Sequence, residues 1–468
     1  MLSLVLFLIY ILSILTVIFL ERKSPYEAVL WVVVLVCLPY FGLLLYLIFG
    51  STLPIKITSY KRKKRLQQCY PDVSLPSIKQ LKDIELVDED RQVIEFNETY
   101  NHSELTSYED IDVFTSGESH YRALFADLNA AKECIYIEFY TIHHDLMGEA
   151  LIKTLTKKAK EGVKVFVLCD FIANIPTPNK MFEPLREAGG KVIRVKPFLT
   201  HYRSHRKNVI IDHKIAYIGG MNIGKQYANM HKKKNPWRDT QVRLTGACTN
   251  ILDEYFLIDY LCSIRKKEWD ETVNYVNSLQ RKHNSLNSNL CQFIVGGVDT
   301  SKESVKMCYL SMIRSAKKCI RIQSPYFIPD VSILDALKTA AASGIQIELM
   351  IPGIKASFFL DPVTTYYAGQ LMEYGAKVTK YQGYIHAKTM IIDDELCCIG
   401  SVNMDMRSLQ VDDEICGVFY QNDFVEKYAN IYDQDLEHCD EYTYDEFVKR
   451  SNKEKCLESF FLLFAPLM

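Results

Sequence analysis

Two stretches near the start of the chain carry no charge, and beyond them apolar residues recur with the periods of strands and helices. Leu2 to Leu20 is uncharged, and Ala28 to Phe49 runs 22 residues without a charge. At about 1.5 Å per helical residue, each is long enough to cross a hydrocarbon layer of about 30 Å. The polar turn Glu21-Arg22-Lys23-Ser24-Pro25-Tyr26-Glu27 separates them. Pro39 and Gly42 in the second stretch are tolerated in lipid. The first stretch lacks a basic leader and a small-residue cleavage site, and a second stretch follows at once. The pattern therefore predicts a retained two-helix transmembrane hairpin over residues 1–50.

Residues 51–105 are polar and aperiodic, and are expected to form a juxtamembrane linker with some local structure. From about residue 110 the chain reads strand–helix–strand. Cys134 to Tyr140 and Val163 to Leu168 have strand character, with a helix from Leu151 to Ala159 between them. Cys319 to Gln323, Ile333 to Ala342 and Ile345 to Met350 repeat the series at offsets of 181 to 185 residues. A repeat of that length covers a whole domain. The expected fold class is α/β: two homologous α/β/α domains, 106–288 and 289–455, packed with pseudo-twofold symmetry. Residues 250–287 read as helical and polar, with the domain boundary near their end. An apolar tail, 456–468, is expected either to bury itself or to dock at a bilayer.

The repeat carries a polar motif. His205-Arg206-Lys207 is followed by Asp212, Gly219-Gly220 and Asn222; His386-Ala387-Lys388 is followed by Asp393, Gly400-Ser401 and Asn403. His to Lys is two residues in both copies, Lys to Asp five, Asp to the first Gly seven, and His to Asn seventeen. Side chains at i and i+2 of a strand share a face, so each His and Lys should point the same way. Duplication of one His-Lys-Asp-Asn set points to a single symmetric site assembled from two halves.

Phosphodiester transfer needs a nucleophile, a proton donor for the leaving alkoxide, and positive charge around the phosphoryl oxygens. A neutral imidazole suits the first task and a protonated one the second, so two copies are required. Lys207 and Lys388 would hold the phosphate as point charges, with Asn222 and Asn403 donating amide hydrogens. Asp212 and Asp393 complete the catalytic set, although their place after each strand suits bracing a turn better than touching phosphorus. Asp239 and Glu414 are candidates to orient the histidines and favour their protonated form; the sequence leaves open which serves which. Gly219-Gly220 and Gly400 are expected to leave room for backbone and substrate. Glu138 and Gln323 hold equivalent positions in the two repeats and are candidates to line the cleft.

Composition narrows the picture. Net charge is −2, against the basic excess of a nucleic-acid binder, so none is expected as partner. The 14 cysteines are scattered without a CxxC pair, which argues for reduced thiols and against zinc. No metal or cofactor is expected; His143-His144-Asp145 reads as a loop rather than a metal cluster. Lys56 and Lys61 to Arg65 follow the second apolar stretch, and the inter-stretch turn has only Arg22 and Lys23. Basic residues stay inside, so the large domain should be cytoplasmic, on a multi-pass cell-membrane protein. The basic run there, and His231-Lys232-Lys233-Lys234, would attract anionic phospholipid. Pairing into a homodimer is left open.

These motifs resemble the phospholipase D superfamily, whose signature is the duplicated His-x-Lys…Asp…Gly-Gly/Ser-x-Asn, and within it the bacterial cardiolipin synthases. Trp31 to Gly50, Pro236-Trp237-Arg238-Asp239, Gln323 to Pro329 and Pro466-Leu467 are also similar to that family. The resemblance implies phospholipase-D-like domains and condensation of two phosphatidylglycerol molecules into cardiolipin plus glycerol through a phosphohistidine. A phospholipase D type hydrolase, or transfer to another alcohol, is the alternative it allows. It also implies His205 as nucleophile and His386 as acid and then base, a choice the symmetric motifs cannot make. Val411-Asp412-Asp413-Glu414 and Phe171-Ile172-Ala173-Asn174 depart from the family pattern and are expected near the substrate entrance.

Overall fold

In the computed structural model of the chain, the described residues are 2–20, 25–38, 40–51, 53–69, 87–196, 202–230, 236–265, 268–278, 286–297, 303–355, 357–421 and 423–468. The inter-stretch residues 21–24 and the basic run 231–234 lie outside them.

Period-2 alternation builds two mixed sheets. The first has seven strands in the order Ile111–Phe114, Gln241–Thr245, Ile215–Gly219, Asn208–Ile211, Cys134–Phe139, Lys164–Asp170, Lys191–Val195. In the second, Leu290–Gly296, Glu414–Tyr420, Leu396–Gly400, Thr389–Ile392, Cys319–Gln323, Gln346–Pro352 and Lys377–Tyr381 follow in the same order. The short strands Thr106–Ser107 and Cys439–Glu441 extend its two edges. The identical order is the expected repeat at the level of topology.

Alternation also assigns the faces. Ile135, Ile137, Val209 and Ile211 turn to one core with the helix Leu146–Lys160, while Tyr136 and Ile210 turn the other way. In the second sheet Met390 and Ile392 face outward-lying helices, and Ile391 faces inward. The inward faces of both sheets share one core with Phe256, Tyr260, Phe424 and Tyr428. Each such fully buried side chain contributes roughly 1.5–3 kcal/mol, so the sheets are held back to back.

Three expectations need correction. The described residues of 51–105 carry more than some local structure: they form the helices Leu53–Cys69 and Asp88–Asn101, with 52 and 70–86 outside the described residues. Val93, Ile94 and Leu105 pack into the second domain's core, and Thr106 and Ser107 pair with its strand Leu290–Gly296. The polarity of 250–287 concealed an apolar face on the helix Cys248–Ser263, where Leu252, Phe256, Leu257 and Tyr260 are buried. The tail is divided rather than uniform. In the helix Asn452–Leu462 Phe461 packs with Ile328 and Val363, while Phe460, Leu463 and Phe464 are exposed beside exposed Phe358 and Phe359.

The N-terminal apolar stretches are helical but interrupted. Leu2–Leu15 passes into a wider π turn, Thr16–Leu20; Pro25–Cys37 ends before Phe41–Leu45 begins, an interval that holds Pro39 in the sequence. Among the described residues no helix is long and apolar enough to cross a membrane. Val17, Leu35, Leu43 and Tyr46 pack on one another, and Phe7, Leu12, Phe19 and Val36 point outward, exposed.

Candidate active site

Each motif lies in extended backbone just before its strand rather than on it: His205 and Lys207 precede Asn208–Ile211, and His386 and Lys388 precede Thr389–Ile392. Segments from opposite domains hold them. The His205 amide donates to the Asp413 carbonyl at 2.9 Å and the Asp413 amide to the Arg203 carbonyl at 2.8 Å. In the other half the His386 amide donates to the Arg238 carbonyl at 2.6 Å, and Tyr384–Ile385 runs parallel to Trp237–Arg238.

This exchange settles the pairing left open by the sequence. His205 Nδ1 lies 2.8 Å from Glu414 Oε1, and His386 Nδ1 lies 2.6 Å from Asp239 Oδ2. Each histidine is oriented by a carboxylate of the other domain. Against an ionised carboxylate Nδ1 carries the proton, which leaves Nε2 as the free ring nitrogen. Lys207 donates to the His205 carbonyl at 2.5 Å. Lys388 Nζ lies 2.9 Å from His386 Nδ1, whose proton serves Asp239, so its own proton goes to the His386 carbonyl.

The two halves share one electrostatic field. Burial holds His205 well below the ordinary imidazole range, and both Lys207 and Lys388 push it further down. Burial brings His386 down to about 4, with Lys388 and Lys207 adding and Asp239 opposing. Each lysine thus acts on both histidines. Burial also lowers Lys207 to about 7 and Lys388 to about 8. Asp239 favours the imidazolium of His386 as expected, but desolvation and the two lysines outweigh it. The carboxylates themselves differ. Burial raises Asp239, but Lys388 and His386 more than offset it and leave it lowered. Burial takes Glu414 up to about 7, against Lys207 and a hydrogen bond from Ser401.

Gly219 and Gly400 let the neighbouring strand's backbone approach closely, and Gly220 makes room for a carboxylate. A Cβ on Gly220 would meet Asp239 Oδ1 at 2.1 Å. In the other half Ser401 replaces it, and its hydroxyl donates to Glu414 Oε2. Tyr140 stands against His205 with ring centres 4.7 Å apart, and Trp237, Tyr227 and Tyr384 surround His386.

Other expected site residues lie elsewhere. Asp212 and Asp393 were placed with the catalytic set; they sit at the far end of the strands, about 16 Å along the chain from each lysine at ~3.3 Å per residue. Asp212 accepts the amides of Lys132, Glu133 and Cys134, and Asp393 those of Lys317, Lys318 and Cys319. Both close left-handed turns, with φ of 52° and 56°. Asn222 accepts from the Thr141 amide and donates to the Tyr227 hydroxyl, so its amide is engaged by the protein; the buried Asn403 side-chain carbonyl has no hydrogen-bond partner among the described residues. Glu138 and Gln323 are buried beneath the motifs and do not line an open cleft. Glu138 accepts from Ser204, and Gln323 donates to Asp435 and accepts from Thr389 and Tyr428. Asn174 is fully buried and donates to the Tyr140 and Asp170 carbonyls, and Asp412 and Asp413 are buried, whereas Phe171 is half-buried and lines a surface cavity with Tyr202. Of His143-His144-Asp145, Asp145 caps the helix Leu146–Lys160, and no group of three or more metal-binding side chains occurs among the described residues.

Sequence reasoning missed the ion pairs behind the site. Arg238 makes a two-point pair with Asp435, and Arg206 contacts Asp259. Arg206 and Arg238 adjoin motif residues, which is a local signal; Asp259 and Asp435 lie on distant helices and give none.

Two profiles of known families match the chain. One, described as "Cardiolipin synthase, PLD-like domain", matches residues 124–236 and 309–436, and a phospholipase D-nuclease N-terminal profile matches 8–51. With its doubled sheet and paired motifs, the protein is in the class of phospholipase-D-like enzymes. The Bacillus subtilis protein named major cardiolipin synthase ClsA is 34% identical, covering 100% of this chain and 99% of its own. A Listeria welshimeri cardiolipin synthase is 33% identical, covering 96% of this chain and 95% of its own. The chain belongs to the cardiolipin synthase family. A crystal structure of phosphatidylserine synthase from Haemophilus influenzae shares the fold, with a TM-score of 0.63 over 80% of this chain and 98% of that one at 14% identity.

Three outcomes are expected. Asp239→Asn should lower kcat by on the order of a thousandfold, because it leaves His386 without an ionised acceptor. Glu414→Gln should cost far less at pH 6 than at pH 8, since glutamine mimics a carboxyl that is protonated below about 7. Equal losses at both pH values, measured by initial rates, would contradict this. Burial and Asp259 raise Glu138 to about 8, against Arg206, so the folded protein holds a proton the unfolded chain gives up near pH 4.5. Its contribution to stability is complete below that value and is lost as pH rises through about 8. Glu138→Gln, which copies Gln323, should raise the melting temperature at pH 9 more than at pH 6.

Proposed function

We propose that the protein is a membrane phosphatidyltransferase that condenses two phosphatidylglycerol molecules into cardiolipin and glycerol. The observation that carries this reading is the crossed pair of carboxylate–histidine contacts beside two lysines that act on both rings. His205 Nε2 attacks the phosphorus of the first phosphatidylglycerol, and the bond to the headgroup oxygen breaks. His386 gives its Nε2 proton to that oxygen, and glycerol leaves. The phosphatidyl group rests on His205. Neutral His386 then takes the proton of a second phosphatidylglycerol's headgroup hydroxyl, whose oxygen attacks phosphorus, and the P–N bond breaks.

The assignment of roles rests on the unequal carboxylates. His386 faces an ionised Asp239, which steadies an imidazolium; His205 faces a Glu414 drawn toward neutrality, which favours a neutral nucleophile. The incoming phosphodiester brings negative charge between the two lysines. Its anion offsets Lys207 and Lys388, restores their protons, and raises His386 toward the pH at which it can act as acid. Lys207, Lys388 and Asn403 are the phosphate contacts on this reading, with Asn222 shaping the cleft wall.

The outward apolar faces of the N-terminal helices, the profile match over 8–51 and the basic flank after Phe49 support a multi-pass membrane anchor with the catalytic part in the cytoplasm. The exposed cluster Phe358, Phe359, Phe460, Leu463 and Phe464 supports contact with the bilayer from which lipid substrate arrives.

Purified protein with phosphatidylglycerol vesicles should yield cardiolipin and glycerol in equal amounts without added metal or nucleotide. Phosphatidic acid as the main lipid product would favour the hydrolase alternative, and an absolute need for a nucleotide-linked lipid donor would reject the reading.

A further inference from the structure

The two halves differ at one pair of equivalent positions. In the half that serves His386, Arg238 lends its carbonyl to the histidine amide and sends its guanidinium to Asp435, with bonds of 2.9 and 2.7 Å. In the half that serves His205, the residue lending the carbonyl is Asp413. The helix acid in the corresponding place is Asp259, on Cys248–Ser263. Two acids therefore stand where the other half has a cation and an acid.

The missing charge comes from outside the repeat. Arg62, on the helix Leu53–Cys69, reaches in and donates to Asp413 Oδ2 at 3.0 Å and to Asp259 Oδ1 at 2.5 Å. Its side chain is only 9% exposed, unlike its exposed neighbours Lys61, Lys63 and Lys64. Arg206 contributes a second guanidinium to Asp259 and donates to the Glu414 carbonyl. We infer that Arg62 is a positioning residue of the active site, completing from the juxtamembrane helix the ion pair that holds Asp413, and through it Glu414 and His205, in register. This rests on the function proposed above.

The mechanism is both steric and electrostatic. Asp413 grips Arg203 and His205 through its backbone, and Glu414 is the next residue, so displacement of Asp413 moves the histidine and its partner together. A buried carboxylate that loses its cation also adds net negative charge beside them. The groups facing His205 are Lys207, Lys388, Glu414, Asp405 and Arg407. Those facing the Asp413–Asp259 pair are Arg206, Glu138 and, across the acidic segment, Asp412, whose carboxylate is held by Arg407. Removal of Arg62 leaves this second set net acidic, so the ionisation of His205 should move to higher pH.

The test uses full-length protein in phosphatidylglycerol vesicles, with Arg62→Met, Asp413→Asn and the double variant. Arg62→Met should lower kcat/KM at neutral pH by about tenfold and move its acid limb upward by about half a pH unit or more, the effect of one uncompensated charge nearby. The double variant, which removes the charge and its counter-charge together, should recover most of the loss and return the limb toward wild type. Reaction of His205 with diethyl pyrocarbonate, mapped by mass spectrometry across pH, should shift in the same sense. That readout needs no turnover, so it separates failure of this inference from failure of the proposed reaction. If Arg62→Met does not accumulate folded, the double variant is compared with Arg62→Gln, which also lacks the charge, and the double variant should be the closer to wild type at both readouts. A wild-type pH profile in Arg62→Met, or a double variant no better than its comparator, would overturn the inference.

Discussion

The site depends on an exchange of carboxylates between domains. Neither repeat contains a finished catalytic group: His205 takes its orientation from Glu414, and His386 from Asp239. A hydrogen bond to a buried carboxylate is worth roughly 1.5–3 kcal/mol, and its loss leaves an unpaired charge, so the two sheets cannot slide without breaking both contacts. Packing and chemistry are thereby linked. The inward sheet faces that share Tyr136, Ile210, Ile391 and Phe419 are what hold the crossed strands in register.

Symmetry creates the site, and departures from it divide the labour. Gly220 admits the short, ionised Asp239; Ser401 instead grasps Glu414, which burial draws toward neutrality. Gln323 is neutral where Glu138 holds a proton to about pH 8. Arg238 is internal to its half, whereas Asp413 borrows Arg62 from the helix that follows the apolar N-terminus. On the proposed reading these differences separate a nucleophile from an acid although both motifs are spelled alike.

The sequence made the repeat, the strand–helix–strand segments and the doubled His-Lys motif legible, because identical intervals and period-2 alternation are local signals. The pairing of His205 with Glu414 was not legible, since it joins residues 209 apart in the chain. Polarity misled twice. The Asp88–Asn101 helix looked like linker because its buried apolar face is little more than Val93 and Ile94, the Leu53–Cys69 helix because it reaches the body through Arg62 while Ile57 and Tyr60 stay exposed, and the helix Cys248–Ser263 hid Phe256 and Tyr260 among acids and amides. Asp212 and Asp393 travel with the motif, yet their spacing records a turn that the strand requires rather than a part in the chemistry. The weight of burial against the imidazolium was not legible, because a sequence does not reveal how fully a histidine is enclosed.

The central claim is that both histidines serve one phosphorus atom in unequal roles. Brief exposure of wild-type and His386→Ala protein to phosphatidylglycerol labelled in its phosphate, followed by alkaline quench and peptide mapping, tests it directly. The account expects label on His205 alone, accumulating in the wild type before a second lipid arrives. Label on His386, or label on both histidines of one molecule, would contradict it.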